Sequence, residues 1–191
     1  MIRAADYVAR FLAEKGVKHV FMITGGGAMY LNDAIGRSKK IEYICPLNEH
    51  ALAMEVEGYA RVHYSLGVGM VTSGPGATNA ITGLVGAWID STPCFFISGQ
   101  VNVKDTILGA KLRQKGVQEV DIISIVKSVT KYAIMITEPA EIRYHLEKAY
   151  HLATTGRPGP VWIDIPLNVQ GALIDETNLK GFTPSEEHKP S

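Results

Sequence analysis

Residues 68–98 read VGMVTSGPGATNAITGLVGAWIDSTPCFFIS, and their pattern sets the architecture that we expect for the whole chain. Two short apolar runs, Val68 to Thr72 and Cys94 to Ser98, have the length and composition of buried strands. Between them, Ala77 to Ile89 is a longer apolar segment that follows a turn rich in glycine and proline, as a helix would. The sequence therefore predicts strands that are joined by a helix, the arrangement from which parallel sheets are built.

The same alternation of strand and helix extends outward in both directions. Nearly continuous apolar strands separated by helices are typical of a parallel sheet that is covered on both faces. We therefore expect an α/β fold of three layers, α/β/α, around a mostly parallel central sheet of about six strands. Gly16 is expected to end the first helix. The further predicted elements are helix Ala4 to Lys15, strand Val20 to Ile23, helix Ala28 to Arg37, strand Ile41 to Cys45, helix Glu49 to Tyr64, helix Val120 to Lys127, strand Tyr132 to Ile136, helix Ala140 to Thr154 and strand Val161 to Ile165.

Length and composition predict one domain followed by a tail. Of the 191 residues 46% are hydrophobic and 20% charged, which is enough for one well-buried core. After Pro166 the pattern fades, so residues 1–167 are expected to form the domain. Residues 168–191 are expected to form a linker with little to bury. Weak periodicity in Val101 to Gly116 predicts a loop.

The charge balance and the cysteines indicate which partners and which cellular compartment to expect. Nineteen basic residues balance nineteen acidic ones, so nucleic acid and anionic membranes are not expected as partners, whereas small molecules and proteins are. Cys45 and Cys94 each lie in an apolar run and are expected to be buried thiols, because two cysteines are too few for a disulfide framework. The N-terminal residues lack the order of a signal peptide, and no apolar stretch approaches the ~18 residues that span a bilayer. A reducing cytoplasm fits best.

Three polar or glycine-rich junctions follow predicted strands: Thr24 to Gly27, Asn48 to His50, and Ser73 to Asn79. Ligands gather at the carboxyl ends of the strands of an open parallel sheet, because helix N-termini offer free N–H groups there. The first junction is either a phosphate loop or a tight turn without a ligand, and it lacks the full G-x-G-x-x-G spacing. The third either brings its backbone close to a planar ligand or is a sharp turn. Glu49 either acts at this edge or complements the helix dipole, with Asn48 as the N-cap.

The histidines are not spaced as the ligands of a metal ion would be. His50, His63 and His145 have no paired ligand at metal spacing, so they are expected to be surface or structural residues. No metal ligand is predicted in this chain.

Several longer motifs are distributed along the chain up to the predicted linker. They are EHALAMEVEGYAR at 49–61, VTSGPGATN at 71–79, SGQV at 98–101, QEVD at 118–121 and TGRPGPV at 155–161. These motifs resemble the N-terminal domain of the thiamine-diphosphate enzymes of the acetolactate-synthase type, in the same order and at similar spacing. Chance agreement of several long motifs in register is negligible.

The resemblance implies the pyrimidine-binding fold of these enzymes, with Glu49 as the catalytic residue. The matched glutamate hydrogen-bonds the pyrimidine N1′ of thiamine diphosphate and so promotes loss of the proton on the thiazolium C2. A carboxyl group is suited to this role because it can share a proton with a ring nitrogen. Gln100 would approach the reacting carbon of the substrate. The pyrimidine side of the cofactor would be lined by Thr24, Gly25, Gly26, Glu49, Thr72, Pro75 and Asn79.

The chain departs from the acetolactate-synthase pattern at three positions. Ile23-Thr24 replaces a Tyr-Pro pair, Asn48 replaces a His, and Val117 replaces a Phe. These positions concern the substrate and the residues behind the cofactor rather than the glutamate itself. They leave the acceptor substrate open.

The complete enzyme of this kind also needs a second domain. That domain holds the diphosphate through Mg²⁺ and carries a Gly-Asp-Gly segment, which does not occur here. The resemblance implies that the chain works with its missing diphosphate-binding domain or with a separate subunit, as a homodimer, and is inactive by itself. FAD is a further possible cofactor of the complete enzyme.

Three functions remain open at this point. The leading one is a carboligase or decarboxylase that acts on pyruvate or a related 2-oxo acid. A second is a relative that transfers an acyl-anion equivalent to a sugar ketone in polysaccharide synthesis. A third is a noncatalytic α/β assembly module, against which the presence of Glu49 argues.

Overall fold

A six-stranded parallel sheet between two layers of helices confirms the predicted α/β/α fold. The structure is a computed structural model, and it describes residues 1–184. The strands are β1 (Ile2–Arg3), β2 (His19–Met22), β3 (Glu42–Ile44), β4 (Gly67–Val71), β5 (Cys94–Gln100), β6 (Tyr132–Met135), β7 (Val161–Pro166) and β8 (Leu173–Ile174). The helices are α1 (Ala4–Glu14), α2 (Met29–Gly36), α3 (Glu49–His63), α4 (Pro75–Asn79), α5 (Ile81–Ile89), α6 (Ile122–Val126), α7 (Ile142–Thr154) and α8 (Leu167–Gln170).

The strand order in the main sheet is β3-β2-β4-β5-β7-β6, and every pair is parallel. Strands β4, β5 and β7 lie in the middle and are buried along their whole length, which explains their continuous apolar character. Because all six strands point the same way, the loops after them emerge at one edge of the sheet. This carboxyl edge is where the three predicted junctions lie.

Each face of the sheet has its own hydrophobic core, because side chains alternate between the faces along each strand. One core includes Val68 and Met70 of β4 and packs against α1, α2 and α7. The other includes Val71 of β4 and packs against α3, α5 and α6. The sheet is thus covered on both sides, as the sequence predicts.

Helix ends follow the expected local chemistry. The side chain of Asn48 accepts a hydrogen bond from the N–H of Ala51 at 2.9 Å, so it caps α3 at its N-terminus. Gly16, with φ +82°, lies just past the end of α1, which confirms its predicted role as a stop.

The predicted helix Ala77 to Ile89 is wrong in its bounds and its continuity. The helix begins at Pro75 and is divided into α4 and α5 at Ala80. The N–H of Ala80 bonds to the carbonyl of Ala77, three residues back, which tightens the turn at the break. The short α4 therefore ends on Asn79, whose side chain turns toward Glu49, while α5 packs along α3.

The segment after Pro166 packs more than the sequence suggests. In α8 both Val169 and Gln170 are fully buried, and β8 pairs with β1 in an antiparallel ladder. The expectation that little is buried after Pro166 is therefore wrong for residues 167–179. The domain boundary at residue 167 stays a prediction, and residues 185–191 of the predicted linker lie outside the described residues.

The two cysteines differ in their environment. Cys94, the first residue of β5, is buried as predicted. The prediction that Cys45 is buried is wrong, because the edge strand β3 ends at Ile44 and Cys45 begins an exposed turn toward Asn48. Within residues 1–184, no helix is both long and apolar enough to cross a membrane.

Candidate active site

Thr72, the residue after β4, holds the first junction in place. Its hydroxyl oxygen accepts a hydrogen bond from the N–H of Gly27 at 3.1 Å. Gly25 packs directly on the same side chain, since a β-carbon at Gly25 would lie 2.5 Å from the Cβ of Thr72. The carbonyl of Gly27 is fixed from the other side by the side-chain amide of Gln170, which donates to it at 2.7 Å. The first junction is thus anchored to two other elements.

Glu49 is the first residue of α3, and its half-buried carboxylate meets the third junction. Its Oε2 accepts a hydrogen bond from Nδ2 of Asn79 at 2.9 Å. Its Oε1 lies beside Gly76, where a β-carbon would stand 3.0 Å away. The same β-carbon would stand 2.7 Å from the methyl group of Thr72. Gly76 therefore lets the backbone approach Thr72 and the carboxylate closely, in a glycine-lined contact, called the cradle below, that has no room for a larger residue.

The predicted lining residues thus fall into two groups. Gly25, Glu49, Thr72 and Asn79 form one connected cluster, to which Gly76, not predicted as a lining residue, also belongs. Thr24, Gly26 and Pro75 are exposed at the same edge, and a β-carbon at Gly26 would meet nothing within 4 Å. The cluster is therefore bordered by open space on the side of the first junction. These contacts bring the three junctions together, while the role of each residue toward a ligand stays a prediction.

Gly74 connects the third junction to the segment before α6. Its φ is +59°, a backbone conformation that favours glycine, and a β-carbon there would collide with the carbonyl oxygen of Gln118. Gln118 itself has a positive φ of 58°. Two residues with left-handed backbone are thus packed against each other beside the cluster.

Gln100 ends β5 and belongs to a second, buried group of contacts. Its Nε2 donates to Oδ2 of Asp164 at 3.1 Å and to the carbonyl of Val120 at 3.0 Å. Its Oε1 accepts from the N–H of Val101 at 3.0 Å. Gln100 is only 2% exposed, and it lines a cavity of about 150 Å³ under residues 106–110. Its predicted approach to the reacting carbon stays a prediction.

Asp164 is the acid at the centre of this second group. It lies in β7 opposite Ser98 of β5, and the Ser98 hydroxyl donates to its Oδ1 at 2.6 Å. The indole N–H of Trp162 donates to the same hydroxyl at 2.8 Å. Burial raises the pKa of Asp164 to about 7, against the lowering effect of the hydrogen bonds from Ser98 and Gln100, and the charge of Asp121 raises it further.

Glu119 fixes the predicted loop Val101 to Gly116, which contains one 3₁₀ turn at Val103–Asp105. Its carboxylate is 6% exposed and accepts hydrogen bonds from the backbone N–H groups of Ile107, Lys115 and Gly116. One buried carboxylate thus hydrogen-bonds to two separate stretches of the loop, at Ile107 and at Lys115 and Gly116.

Sequence reasoning assigns no role to five residues of these contacts, Ser98, Glu119, Trp162, Asp164 and Gln170. A signal was present for Asp164, because it is a single charge inside the apolar run VWIDIP, where an unpaired acid is costly to bury. Glu119 stands in a matched motif without any indication of its partners. Among the described residues, no group of three or more His, Cys, Asp or Glu side chains could hold a metal ion.

Two comparisons relate this chain to known proteins. Residues 2–125 match the family model described as thiamine pyrophosphate enzyme, N-terminal TPP binding domain. The chain is 40% identical over 174 residues to the acetolactate synthase large subunit of Lactococcus lactis subsp. lactis, which covers 91% of this chain and 29% of that protein. It is 37% identical over 171 residues to the chloroplastic acetolactate synthase of Arabidopsis thaliana, covering 90% and 25%. The chain spans less than a third of the length of these relatives.

Proposed function

Since this chain belongs to the thiamine pyrophosphate enzyme family, we propose that it supplies the pyrimidine-binding half of an acetolactate synthase active site acting on pyruvate or a related 2-oxo acid. The family match and the relatives bear out the resemblance carried by the sequence motifs. The observation that carries the proposal is the position of Glu49. Its carboxylate borders a glycine-lined cradle at the carboxyl edge of the sheet.

The residues around the cradle fit the flat pyrimidine end of thiamine diphosphate. Gly25 and Gly76 let the backbone pack closely on either side of Thr72, and the open space at Gly26 is where a ring can approach. Thr24, Gly26 and Pro75 border the open side, and Asn79 stands beside Glu49. These residues are the ones we propose to hold the cofactor.

Glu49 has the chemistry to exchange a proton with a ring nitrogen. The hydrogen bond from Asn79 occupies Oε2, which leaves Oε1 to face the cradle. In this arrangement Asn79 orients the carboxylate and Glu49 donates or accepts the proton. The bound cofactor supplies the carbanion chemistry, and the protein positions it and tunes its protonation.

The relatives favour acetolactate synthase over the two alternatives. The two named relatives are acetolactate synthases, one from a bacterium and one from a plant, and neither name refers to a sugar ketone or to an assembly protein. A noncatalytic module would also have no need for a carboxylate at the cradle. We propose Gln100 as a residue that contacts the substrate, from its place at the end of β5.

The remaining parts of the proposal concern the complete enzyme. Mg²⁺ and the diphosphate would be held by a domain outside this chain, and FAD is a further cofactor to test. The complete enzyme would act as a homodimer in branched-chain amino acid biosynthesis. We propose a cytoplasmic location, which the free thiols of Cys45 and Cys94 support.

The test is Glu49→Gln in the complete enzyme, with Glu55→Gln as the control. Glu55 is exposed on the same helix. Glutamine keeps the shape but cannot exchange a proton with the pyrimidine nitrogen, so we expect turnover to fall by roughly 10²- to 10⁴-fold. Exchange of the C2 proton of the bound cofactor should fall with it, and both rates should stay near normal in the control. Normal C2 exchange in Glu49→Gln, or an equal loss in Glu55→Gln, would show that another carboxylate acts.

A further inference from the structure

The hydrogen bonds around Asp164 can run in only one direction. The indole N–H of Trp162 is a donor only, so the oxygen of Ser98 must accept it. The Ser98 hydroxyl then has its own hydrogen free for Oδ1 of Asp164, at 2.6 Å. The chain from Trp162 through Ser98 thus ends on a carboxylate oxygen that has to be an acceptor.

The amide of Gln100 is fixed from three sides. Its NH₂ group faces two acceptors, the carbonyl of Val120 and Oδ2 of Asp164. Its carbonyl faces one donor, the N–H of Val101. A flip of the amide would set oxygen against oxygen twice and N–H against N–H once. One orientation is therefore strongly preferred as long as Oδ2 of Asp164 is an acceptor.

We propose that ionised Asp164 is a positioning residue that helps to hold the Gln100 amide in this one orientation, and that protonation of Asp164 removes one of the three contacts that fix it. With Oδ1 already taken by Ser98, the added proton must sit on Oδ2, where it points at the NH₂ group of Gln100. Two donors then face each other inside the protein, and the contact is lost.

Few other ionisable groups can take over this role. Glu119 and Asp121, both from the segment before α6, line the same cavity as Asp164. The other cavity residues contributed by β5 and β6 are Gln100 and Met135, which do not ionise. Glu119 is occupied by three backbone N–H groups of the loop. Asp164 is the one acid here that bonds to Gln100.

The position of Gln100 relates the protonation of Asp164 to the cradle beside Glu49. β5 lies beside β4 in the sheet, with Ser98 opposite Val71, so Gln100 and Thr72 both follow the paired ends of neighbouring strands. Gly99 packs against the backbone of Gly27 and Ala28, since a β-carbon there would collide with the Gly27 carbonyl. This part of the inference rests on the proposed function, in which Gln100 contacts the substrate.

The first experiment follows the amide and indole signals of the ¹⁵N-labelled 191-residue chain by NMR between pH 5 and pH 9. Because burial raises the pKa of Asp164 to about 7, we expect the Gln100 side-chain NH₂ and the Trp162 indole N–H to shift together with a midpoint near that pH. Both shifts should vanish in Asp164→Asn. Trp88, the other tryptophan, is partly exposed and serves as the internal reference.

A second variant covers the case in which Asp164→Asn does not fold. Ser98→Ala frees Oδ1 of Asp164 to take the proton, so Oδ2 can go on accepting from Gln100 and the pH-dependent shift of the Gln100 NH₂ group should become smaller. Signals of Gln100 that do not change between pH 5 and pH 9 in the wild type, a Gln100 shift as large in Ser98→Ala as in the wild type, or a titration that persists in Asp164→Asn, would overturn the proposal.

The second experiment uses the complete enzyme. In Asp164→Asn we expect product formation from pyruvate to fall by roughly 10- to 100-fold, because a misplaced contact near the substrate has effects of this order. The C2 proton exchange, which depends on Glu49, should be kept. The acid limb of the wild-type pH profile should be absent from the variant. Loss of C2 exchange together with turnover would point to a merely structural role. Absence of C2 exchange in the wild type would instead defeat the proposed function, and the NMR titration would still decide the role of Asp164.

Discussion

Gly76→Ala offers the sharpest test of the geometry around Glu49. The added methyl group would stand 2.7 Å from the methyl of Thr72 and 3.0 Å from Oε1 of Glu49. Ordinary contacts between carbon atoms are about 3.5 to 4.0 Å, so roughly 1 Å must be regained at Thr72 and about half that at the carboxylate. The question is which of the two side chains yields.

Thr72 has little freedom to move. Its hydroxyl accepts from Gly27, and its Cβ is packed on Gly25 so closely that a β-carbon there would be 2.5 Å away. Glu49 is only half-buried, and its carboxylate is held by the hydrogen bond from Asn79. We therefore expect the carboxylate and the N-terminus of α4 to be displaced, by between half and one ångström.

A shift of this size should lower turnover of the complete enzyme by about 10- to 100-fold, which corresponds to about 1.4 to 2.7 kcal/mol of barrier. Overpacking should also lower the free energy of unfolding by about 1 to 3 kcal/mol. The assays are pyruvate turnover, C2 proton exchange of the bound cofactor, and unfolding in urea.

Gly58→Ala is the matched control on the same helix as Glu49. A β-carbon at Gly58 would meet nothing within 4 Å, and the residue lies inside α3. We expect unchanged turnover and a gain of about 0.5 to 1 kcal/mol in stability, because alanine is the better helix former. Turnover of Gly76→Ala within about twofold of wild type, or a similar loss in Gly58→Ala, would refute the argument from the cradle.

Two further predictions concern buried groups. Burial raises the pKa of Asp164 from 3.8 to about 7, so between these pH values the folded state keeps a proton that the unfolded chain releases. The free energy of unfolding should therefore fall as pH rises from about 4 to 7, by up to about 4 kcal/mol. Urea unfolding at pH 5 and pH 8 should show this fall in the wild type and a smaller one in Asp164→Asn; equal falls in both would contradict it. Cys45 is exposed, whereas burial raises the pKa of Cys94, so a thiol reagent should modify one cysteine of the folded chain and both after unfolding. Cys45→Ser should leave the folded chain unreactive, and rapid labelling of that variant would refute the assignment.

The sequence predicts the sheet because its middle strands are buried on both faces, so that consecutive residues such as Met70 and Val71 are both apolar. It also predicts the gathering of the three junctions, because strand direction alone brings their ends to one edge. The break at Ala80 escapes prediction, since alanine favours a continuous helix and no residue type at this position marks a turn. Strands β1 and β8 have two residues each, too few for any periodic pattern.

Within the site, residue type points to Glu49 but cannot show its partners. Asn79 is 30 residues away in the sequence, and its hydrogen bond depends on where α4 ends. The partners of Asp164 are likewise set by the register of β5 against β7, which pairs Ser98 with Asp164. Side-chain contacts that arise from register and helix placement are invisible to motif spacing.

The ladder between β1 and β8 has a consequence for the order in which the chain acquires its structure. Ile2 pairs with Ile174, so the first strand has no partner until some 170 further residues have been made. At the usual rate of synthesis on the ribosome, about 5 to 20 residues per second, that wait lasts roughly 10 to 30 seconds. All six strands of the main sheet precede Leu173 in the chain, and closing the longest loop is entropically the most demanding step. The amino-terminal strand is therefore expected to be added last, to a sheet that has already formed.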